Sequence, residues 1–264
     1  MVRVYYFDIR RFPVDDLMEG SSSLLNRSEN AKRIMHYLTR ADRSRTLAGE
    51  LILRGLTVSS VIRCDANRRA IKPCVGSDIM FNVSHDEDFV IVGTSTSLSV
   101  GIDIMKVQLS AGNSSVDTMF HTLRNIFTEK EWNYVRGVGL DDNTQLARFF
   151  HIWTAKEAYV KCIGTGLYTE PQEVEIFVES SNSEEIRMTI CQVGFEAACK
   201  FRLSVLPALI PGYVVAVCVG AVDLCDASWT QFCARFPTTA IGRMDISEAT
   251  ELTLEDLVGE LRVS

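Results

Sequence analysis

Short runs in which apolar residues dominate or alternate with polar ones occur along most of the chain. Runs of this length, rich in Val, Ile, Phe and Tyr, are typical of β-strands. A polar stretch from Cys64 to Ser77 interrupts them and predicts a loop or a short strand. The predicted strands are Val2–Ile9, Ile79–Val83, Phe89–Thr94, Ser99–Ile104, Val174–Val178, Ile186–Val193, Phe201–Val205 and Tyr213–Val219.

Longer segments carry their apolar residues at helical spacing and predict helices. Thr128 and Glu131 form a capping-box pattern, so a helix starts there. Gly164 follows the long helical segment Thr144–Ile163 and is a typical helix stop. The predicted helices run from Ser28 to about Leu56, from Asp117, from Thr128, and from Thr144 to Ile163.

The order of helix and then strands occurs twice along the chain. This order predicts an α+β protein, a pseudo-dimer of two similar α+β halves. We expect an N-terminal half at residues 1–110, a C-terminal half at residues 111–222 and a C-terminal extension at residues 223–264, with a short amphipathic helix at Thr253–Leu261. A site between two such halves would draw residues from both.

Composition and charge narrow the class of protein. The 264 residues are 47% hydrophobic and carry a formal net charge of −7. An acidic balance argues against a nucleic-acid partner. Because no apolar run approaches the ~20 residues that span a bilayer, and the first ten residues lack a signal-peptide pattern, we expect no membrane segment and a cytoplasmic location. The eight cysteines include no Cys-x-x-Cys pair, which favours free thiols in a reducing compartment.

Two charged groups are candidates for chemistry. Asp103 lies between two isoleucines of a predicted strand, where a carboxylate must face solvent or be paired. Glu157 and Lys161 are four apart and share a helix face with Trp153. Taken singly, each group has a simpler interpretation: an exposed strand aspartate, and a surface ion pair worth only ~0.3–0.5 kcal/mol.

Ser84 and His85 form a third candidate. Adjacent strand residues point to opposite faces, so the two do not suit a nucleophile and its base. No Gly-x-Ser-x-Gly elbow occurs in the chain, and a Ser/His hydrolase therefore fits poorly. A histidine that binds an anion or caps a turn is the more natural interpretation.

The order and combination of several motifs resemble the 4′-phosphopantetheinyl transferases of the Sfp type. The resemblance covers roughly residues 1–220, and the Gly-Ile-Asp-Ile-Met-Lys form is most similar to eukaryotic members, including fungal ones that activate α-aminoadipate reductase. The matching segments are Gly101–Asp103, Trp153–Lys161, Phe81–His85, Phe127–Trp132, Gly164–Leu167, Lys72–Pro73 and Arg45–Gly49.

This resemblance implies a reaction and its site residues. The reaction moves 4′-phosphopantetheine from coenzyme A to a serine of an apo acyl or peptidyl carrier-protein domain and releases 3′,5′-ADP. Catalytic roles fall on Glu157, Lys161 and Asp103, with Glu157 as the base and Lys161 on the departing phosphate. The coenzyme A contacts implied are Arg33, Arg45, Thr46, Lys72, Ser84, His85 and Lys161.

A magnesium ion held by Asp103 and Glu157 is also implied. Many relatives have Glu two residues after the strand Asp, whereas this chain has Met105, a poor ligand for a hard cation. In eukaryotic relatives with the same Met, a polar residue just after the Ser-His pair can reach the metal, and this resemblance makes Asp86 our third expected ligand. We expect a monomer that acts on carrier domains, α-aminoadipate reductase included. The alternative is a non-catalytic module that binds coenzyme A or carrier proteins.

Overall fold

The computed structural model describes residues 2–11, 37, 39–55, 74–75, 79–96, 98–164, 170–192, 201–220 and 246–253. Its helices are α1 (Arg40–Gly55), α2 (Val116–Thr122), α3 (Glu129–Val135) and α4 (Asp142–Ile163). Its strands are β1 (Val2–Asp8), β2 (Cys74–Val75), β3 (Ile79–Asp86), β4 (Phe89–Thr96), β5 (Ser99–Lys106), β6 (Val174–Ser181), β7 (Ile186–Gln192), β8 (Phe201–Leu206), β9 (Tyr213–Gly220) and β10 (Ile246–Glu251). Short 3₁₀ turns occur at Ile9–Arg11 and Pro171–Glu173.

The strands form two five-stranded sheets. The first has the order β10-β1-β4-β3-β2 and the second the order β5-β9-β8-β7-β6. All pairings are antiparallel except that of β10 with β1, which is parallel. The predicted α+β class with two similar halves is confirmed, because each sheet carries one long helix on its outer face.

Three apolar clusters divide the molecule into layers. In the first, α1 packs on one face of the first sheet through Leu47, Leu51 and Ile52. In the second, α4 packs on the second sheet together with α2 and α3. The third lies between the sheets and joins Val2, Val4, Ile91, Val100, Ile102, Ile104, Ile210, Tyr213, Val215, Val217 and Val219. The order of layers is therefore helix, sheet, sheet, helix.

Strand β5 is buried on both faces because the two sheets and α4 enclose it. Ile102 and Ile104 face the core between the sheets, so the residues that alternate with them face α4. A Cβ on Gly101 would lie 2.0 Å from the carbonyl oxygen of Ala158 and 2.3 Å from the backbone nitrogen of Cys162. The backbone of α4 thus rests directly on Gly101, which explains why a glycine precedes Ile102 and Asp103.

The helix ends follow the sequence signals. Thr128 caps α3 in the way that the capping-box pattern predicted. Its hydroxyl accepts the backbone N–H of Glu131, and the Glu131 carboxylate accepts the backbone N–H of Thr128. Asp141 caps α4 by accepting from the N–H of Thr144. The helix begins at Asp142, two residues before the predicted start at Thr144. Gly164 ends α4 with a φ of 76°, a left-handed conformation that glycine adopts without strain.

The two sheets do not divide the chain at residue 110. Strand β5 precedes that boundary but pairs with β9 in the second sheet. Strand β10 falls within the expected C-terminal extension but pairs with β1 in the first sheet, and Leu252 continues the contact by donating its N–H to the carbonyl of Tyr6 at 2.8 Å. The predicted start of α1 at Ser28, the segment 56–73 and the predicted helix beyond Thr253 lie outside the described residues.

We expect Gly101→Ala to destabilise the protein by more than ~3 kcal/mol or to prevent folding, because the new methyl group overlaps the backbone of α4. Urea unfolding measures the change. Gly49→Ala is the matched control, because a Cβ on this α1 glycine meets only Val83 and Val90, at 3.5 Å and 3.8 Å. That variant should be stabilised by about 0.5–1 kcal/mol. Equal stability of the two variants would contradict the close approach.

Candidate functional site

Asp103 is the buried centre of a three-residue hydrogen-bonded group. Its Oδ1 lies 2.6 Å from Lys161 Nζ and accepts from Ser84 Oγ at 2.7 Å. Lys161 Nζ also donates to Ser84 Oγ at 2.8 Å. Asp103 comes from β5, Lys161 from the last turn of α4 and Ser84 from β3, so both sheets contribute to this group. Asp103 is therefore a paired carboxylate, and the exposed-strand interpretation is wrong.

The second oxygen of Asp103 has a different environment. The side chain is only 3% exposed, and Oδ2 has no hydrogen-bond partner among the described residues. Burial raises the pKa of Asp103, while the Lys161 cation and the hydrogen bonds from Lys161 and Ser84 oppose this rise. A buried carboxylate oxygen without a partner is costly unless a further positive group can reach it.

Glu157 lies in α4 one turn before Lys161 and is half-buried. Burial is the main cause that raises its pKa, and the negative charge of Asp103 adds to the rise. Lys161 acts in the opposite direction. The two carboxylates on different elements are therefore close enough to repel each other, and a simple surface ion pair between Glu157 and Lys161 does not describe this arrangement.

Positive groups surround the open side of the site. Arg45, on α1, donates its Nε to the carbonyl of Glu87 at 2.9 Å and its Nη1 to Asp42 at 2.7 Å. The His85 side chain reaches solvent but is surrounded by many protein atoms, and this desolvation, together with the nearby Arg45 and Lys161 cations, lowers its pKa. His85 thus lies between cations from α1 and α4, which is a suitable place for an anionic ligand.

Three further residues were predicted to contact coenzyme A: Thr46, Arg33 and Lys72. Thr46 donates its hydroxyl to the carbonyl of Asp42 at 2.9 Å, within α1. Arg33 and Lys72 lie outside the described residues.

The three expected metal ligands do not form one preassembled cluster. In the described part of the chain, no group of three or more His, Cys, Asp or Glu side chains is arranged to hold a metal ion. Asp86 lies at the end of β3, where its Oδ2 accepts the backbone N–H of Lys106 at 2.7 Å. Its role as third ligand therefore depends on its other oxygen, Oδ1.

Lys156, the neighbour of Glu157 in the motif, points away from this site. Its Nζ donates to the carbonyl oxygens of Pro171 and Val174 at 2.6 Å and 2.5 Å and lies 2.8 Å from a carboxylate oxygen of Glu131. All three ammonium protons therefore have acceptors. Lys156 anchors α4 to α3 and to the start of β6, a role that sequence spacing alone did not reveal.

Trp153, four residues before Glu157 on α4, belongs to an aromatic cluster. Its ring stacks on Phe149 with a centroid distance of 6.4 Å, and Phe149 in turn contacts Phe120, Phe127 and Trp132. These aromatic residues stabilise the packing of α4 on α2 and α3.

A family comparison agrees with this geometry. Residues 99–218 match the model of the 4′-phosphopantetheinyl transferase superfamily. The matched segment begins with β5 and ends in β9, so it contains Asp103, Glu157 and Lys161. The resemblance noted from the motifs is thereby confirmed.

Several curated proteins are similar to the chain. A phosphopantetheinyl transferase of Thraustochytrium sp. is 34% identical over 192 residues, which cover 67% of this chain and 65% of that protein. The mouse L-aminoadipate-semialdehyde dehydrogenase-phosphopantetheinyl transferase is 32% identical over 169 residues, 59% of this chain and 54% of that protein. A 4′-phosphopantetheinyl transferase of Aneurinibacillus migulanus is 31% identical over 145 residues, 53% of this chain and 56% of that protein.

Three further observations concern alignment length, membrane segments and cysteines. The alignments span only about half the length of the vertebrate relatives. Among the residues that the structure describes, no helix is both long and apolar enough to cross a membrane. Cys191 is an exposed free thiol, in agreement with the expectation for this residue.

We expect Lys156→Met to lower the free energy of unfolding by ~3–5 kcal/mol, because it leaves the buried Glu131 carboxylate without its cation. Lys130→Met is the matched control, because Lys130 pairs with Glu175 at 3.1 Å on the surface. That change should cost less than about 1 kcal/mol. Urea unfolding of both variants at neutral pH tests the comparison, and similar losses would rule out an anchoring role for Lys156.

Proposed function

We propose that this protein transfers 4′-phosphopantetheine from coenzyme A to a serine of an apo carrier-protein domain and releases 3′,5′-ADP. One observation carries the proposal. The contact of Asp103, Lys161 and Ser84, with Glu157 beside it, gathers two carboxylates and an ammonium group within the segment that matches the superfamily. The names of the relatives describe the same kind of transfer.

The residues divide the chemistry between them. A serine oxygen of the carrier forms a bond to the β-phosphorus of coenzyme A, and the bond from that phosphorus to the bridging oxygen breaks. Glu157 accepts the serine proton, directly or through a water molecule. Burial and the Asp103 charge raise the pKa of Glu157, whereas a bound cation would lower it, which leaves the route through a water molecule open. The ammonium group of Lys161 stabilises the negative charge on the departing phosphate.

The carboxylates of this site suit a magnesium ion. No group among the described residues donates to the buried Asp103 Oδ2, and the charges of Asp103 and Glu157 repel each other, so a small divalent cation would relieve both costs. Asp103 and Glu157 would hold the ion, with Asp86 as the third ligand. When bound, magnesium supplies neutralisation of the pyrophosphate charge.

The cations on the open side of the site support coenzyme A as the donor. Arg45 and Lys161 bring positive charge close to His85, and the His85 ring, whose pKa is lowered, offers a neutral hydrogen-bonding group where the phosphates of coenzyme A would bind. Ser84 and Thr46 offer hydroxyl groups nearby, and Arg33 and Lys72 complete the expected set. The proposed acceptors are acyl or peptidyl carrier domains, including that of an α-aminoadipate reductase, and the proposed enzyme is a cytoplasmic monomer.

We expect Glu157→Gln to reduce transfer by at least ~100-fold, because the amide cannot accept the serine proton. Coenzyme A affinity should change by less than about threefold, since other residues hold the nucleotide. Purified protein, magnesium and coenzyme A are mixed with a panel of apo carrier domains, and intact mass measures the gain of one phosphopantetheine. Calorimetry measures coenzyme A binding.

The control for this variant is Glu129→Gln, which makes the same change at an exposed position of α3 and should leave the transfer rate unchanged. Full activity of Glu157→Gln would remove Glu157 from the role of base. Coenzyme A binding without transfer to any carrier by the unsubstituted protein would favour the non-catalytic binding module.

Removal of divalent cations by a chelator should stop transfer, and an excess of magnesium should restore it, because a cation must neutralise the charge between the pyrophosphate and the anionic Asp103 and Glu157. The rate of carrier labelling before and after addition of magnesium measures this dependence. Transfer that continues at the full rate in the chelator would contradict the proposed metal site.

A further inference from the structure

Among the described residues, no strand pairs with one edge of β5. The strand is the first of its sheet and pairs with β9 along its other edge. On the uncovered edge, alternate backbone N–H groups point away from β9 and need acceptors, because the strand is enclosed by protein. Solvent cannot satisfy these groups in the way that it satisfies an exposed sheet edge.

Side chains from β3 supply the missing acceptors. Asn82 Oδ1 accepts the N–H of Ile102 at 2.9 Å, and Asp86 Oδ2 accepts the N–H of Lys106 at 2.7 Å. Between them on the same strand, Ser84 Oγ donates to Asp103 Oδ1 at 2.7 Å. Asn82, Ser84 and Asp86 alternate along β3 and therefore share one face. We call these three residues the β3 clasp.

The contacts of the β3 clasp are compatible with one register of β5 relative to β3. Both backbone contacts join residues that are 20 positions apart, so the two strands advance together along this edge. A shift of β5 by one residue would turn Asp103 to the opposite face and remove all three contacts. The clasp therefore adds to the pairing with β9 in favouring the register in which Asp103 meets Lys161 on α4.

Asn82 differs from the other two members of the clasp. Ser84 and Asp86 already have expected roles in binding coenzyme A and metal, whereas Asn82 has no expected contact with substrate. An amide can accept the N–H of Ile102 without a third negative charge near Asp86 and Asp103. The Asn82 side chain therefore acts as a neutral acceptor for one backbone N–H group, that of Ile102.

We propose that Asn82 is a positioning residue, which holds β5 in register through Ile102 and so places Asp103 against Ser84 and Lys161. This proposal rests on the proposed transferase function. Displacement of a reacting group by about 1 Å can cost on the order of 100-fold in rate. Loss of the Asn82 acceptor should therefore affect the chemical step more than coenzyme A binding.

The test compares Asn82→Ala with Asn182→Ala. Asn182 Oδ1 also accepts backbone N–H groups, those of Glu184 and Glu185, but in the exposed turn between β6 and β7. Assays run at a temperature at which circular dichroism shows both variants to be folded. We expect Asn82→Ala to lower kcat by ~10–100-fold and to raise the magnesium concentration for half-maximal rate, with KM for coenzyme A changed less than about threefold. Asn182→Ala should keep kcat within about twofold of the unsubstituted protein.

A second variant and a second measurement separate register from simple loss of stability. Asn82→Asp keeps an oxygen acceptor and should keep the amide of Ile102 protected from hydrogen exchange by NMR, whereas Asn82→Ala should lose that protection. A folded Asn82→Ala protein with kcat within twofold of the unsubstituted protein would overturn the proposal. So would an Ile102 amide that exchanges in the unsubstituted protein as fast as an unbonded surface amide.

Failure of the transferase proposal gives a different result. In that case the unsubstituted protein labels none of the carriers, although its Ile102 amide exchanges slowly and the protection depends on Asn82. There would then be no transfer reaction for Asn82 to support. The positioning role of Asn82 in catalysis would be rejected together with the proposed function.

Discussion

A strand at the edge of a sheet that is nevertheless enclosed by protein must find hydrogen-bond partners of a different kind. Strand β5 has this problem, and much of the structure around it supplies the solution. Apolar residues on one face join the core between the sheets, α4 covers the other face, and polar side chains of β3 reach the free edge. The two halves of the protein are therefore joined by directional bonds as well as by apolar contact.

The charge on Asp103 depends on this arrangement. A carboxylate in such a buried position is unfavourable without a cation and hydrogen-bond donors, and these come from α4 and β3. In the part of the chain that the structure describes, no group donates to its second oxygen, Oδ2, although the same strand face could have carried an apolar residue. The buried Oδ2 atom therefore lowers the stability of the folded protein, as is common where a protein binds a ligand.

Local signals in the sequence predicted the elements well, and non-local contacts explain what they missed. The alternation of β5 and β9, the Thr128–Glu131 cap and the stop at Gly164 depend on neighbours in the chain. Strand β10 was not predicted, because its sequence, Ile-Ser-Glu-Ala-Thr-Glu, is only weakly strand-like and its place depends on β1. A strand that pairs in parallel across more than 200 residues leaves little local pattern.

For the candidate site, too, the sequence predicted some residues and missed contacts between distant parts of the chain. Motif order identified Asp103, Glu157 and Lys161, and the structure brings these three residues together. The anchoring role of Lys156 was missed because its partners are two backbone carbonyls and a distant glutamate. The alternation of Asn82, Ser84 and Asp86 was visible in the sequence as polar residues at every second position. The role of these three residues as hydrogen-bond partners of β5 became clear only from the position of β5 in the structure.

The close contact between Gly101 and α4 has a consequence for the interpretation of genetic variants. The helix backbone that rests on Gly101 is the same helix that carries Glu157 and Lys161 toward Asp103, two residues further along the strand. A side chain at position 101 would push these groups apart without touching any ligand. In a mutational scan scored by product formation, this glycine would therefore be indistinguishable from an active-site residue, and a protein-abundance measurement would be needed to separate the two.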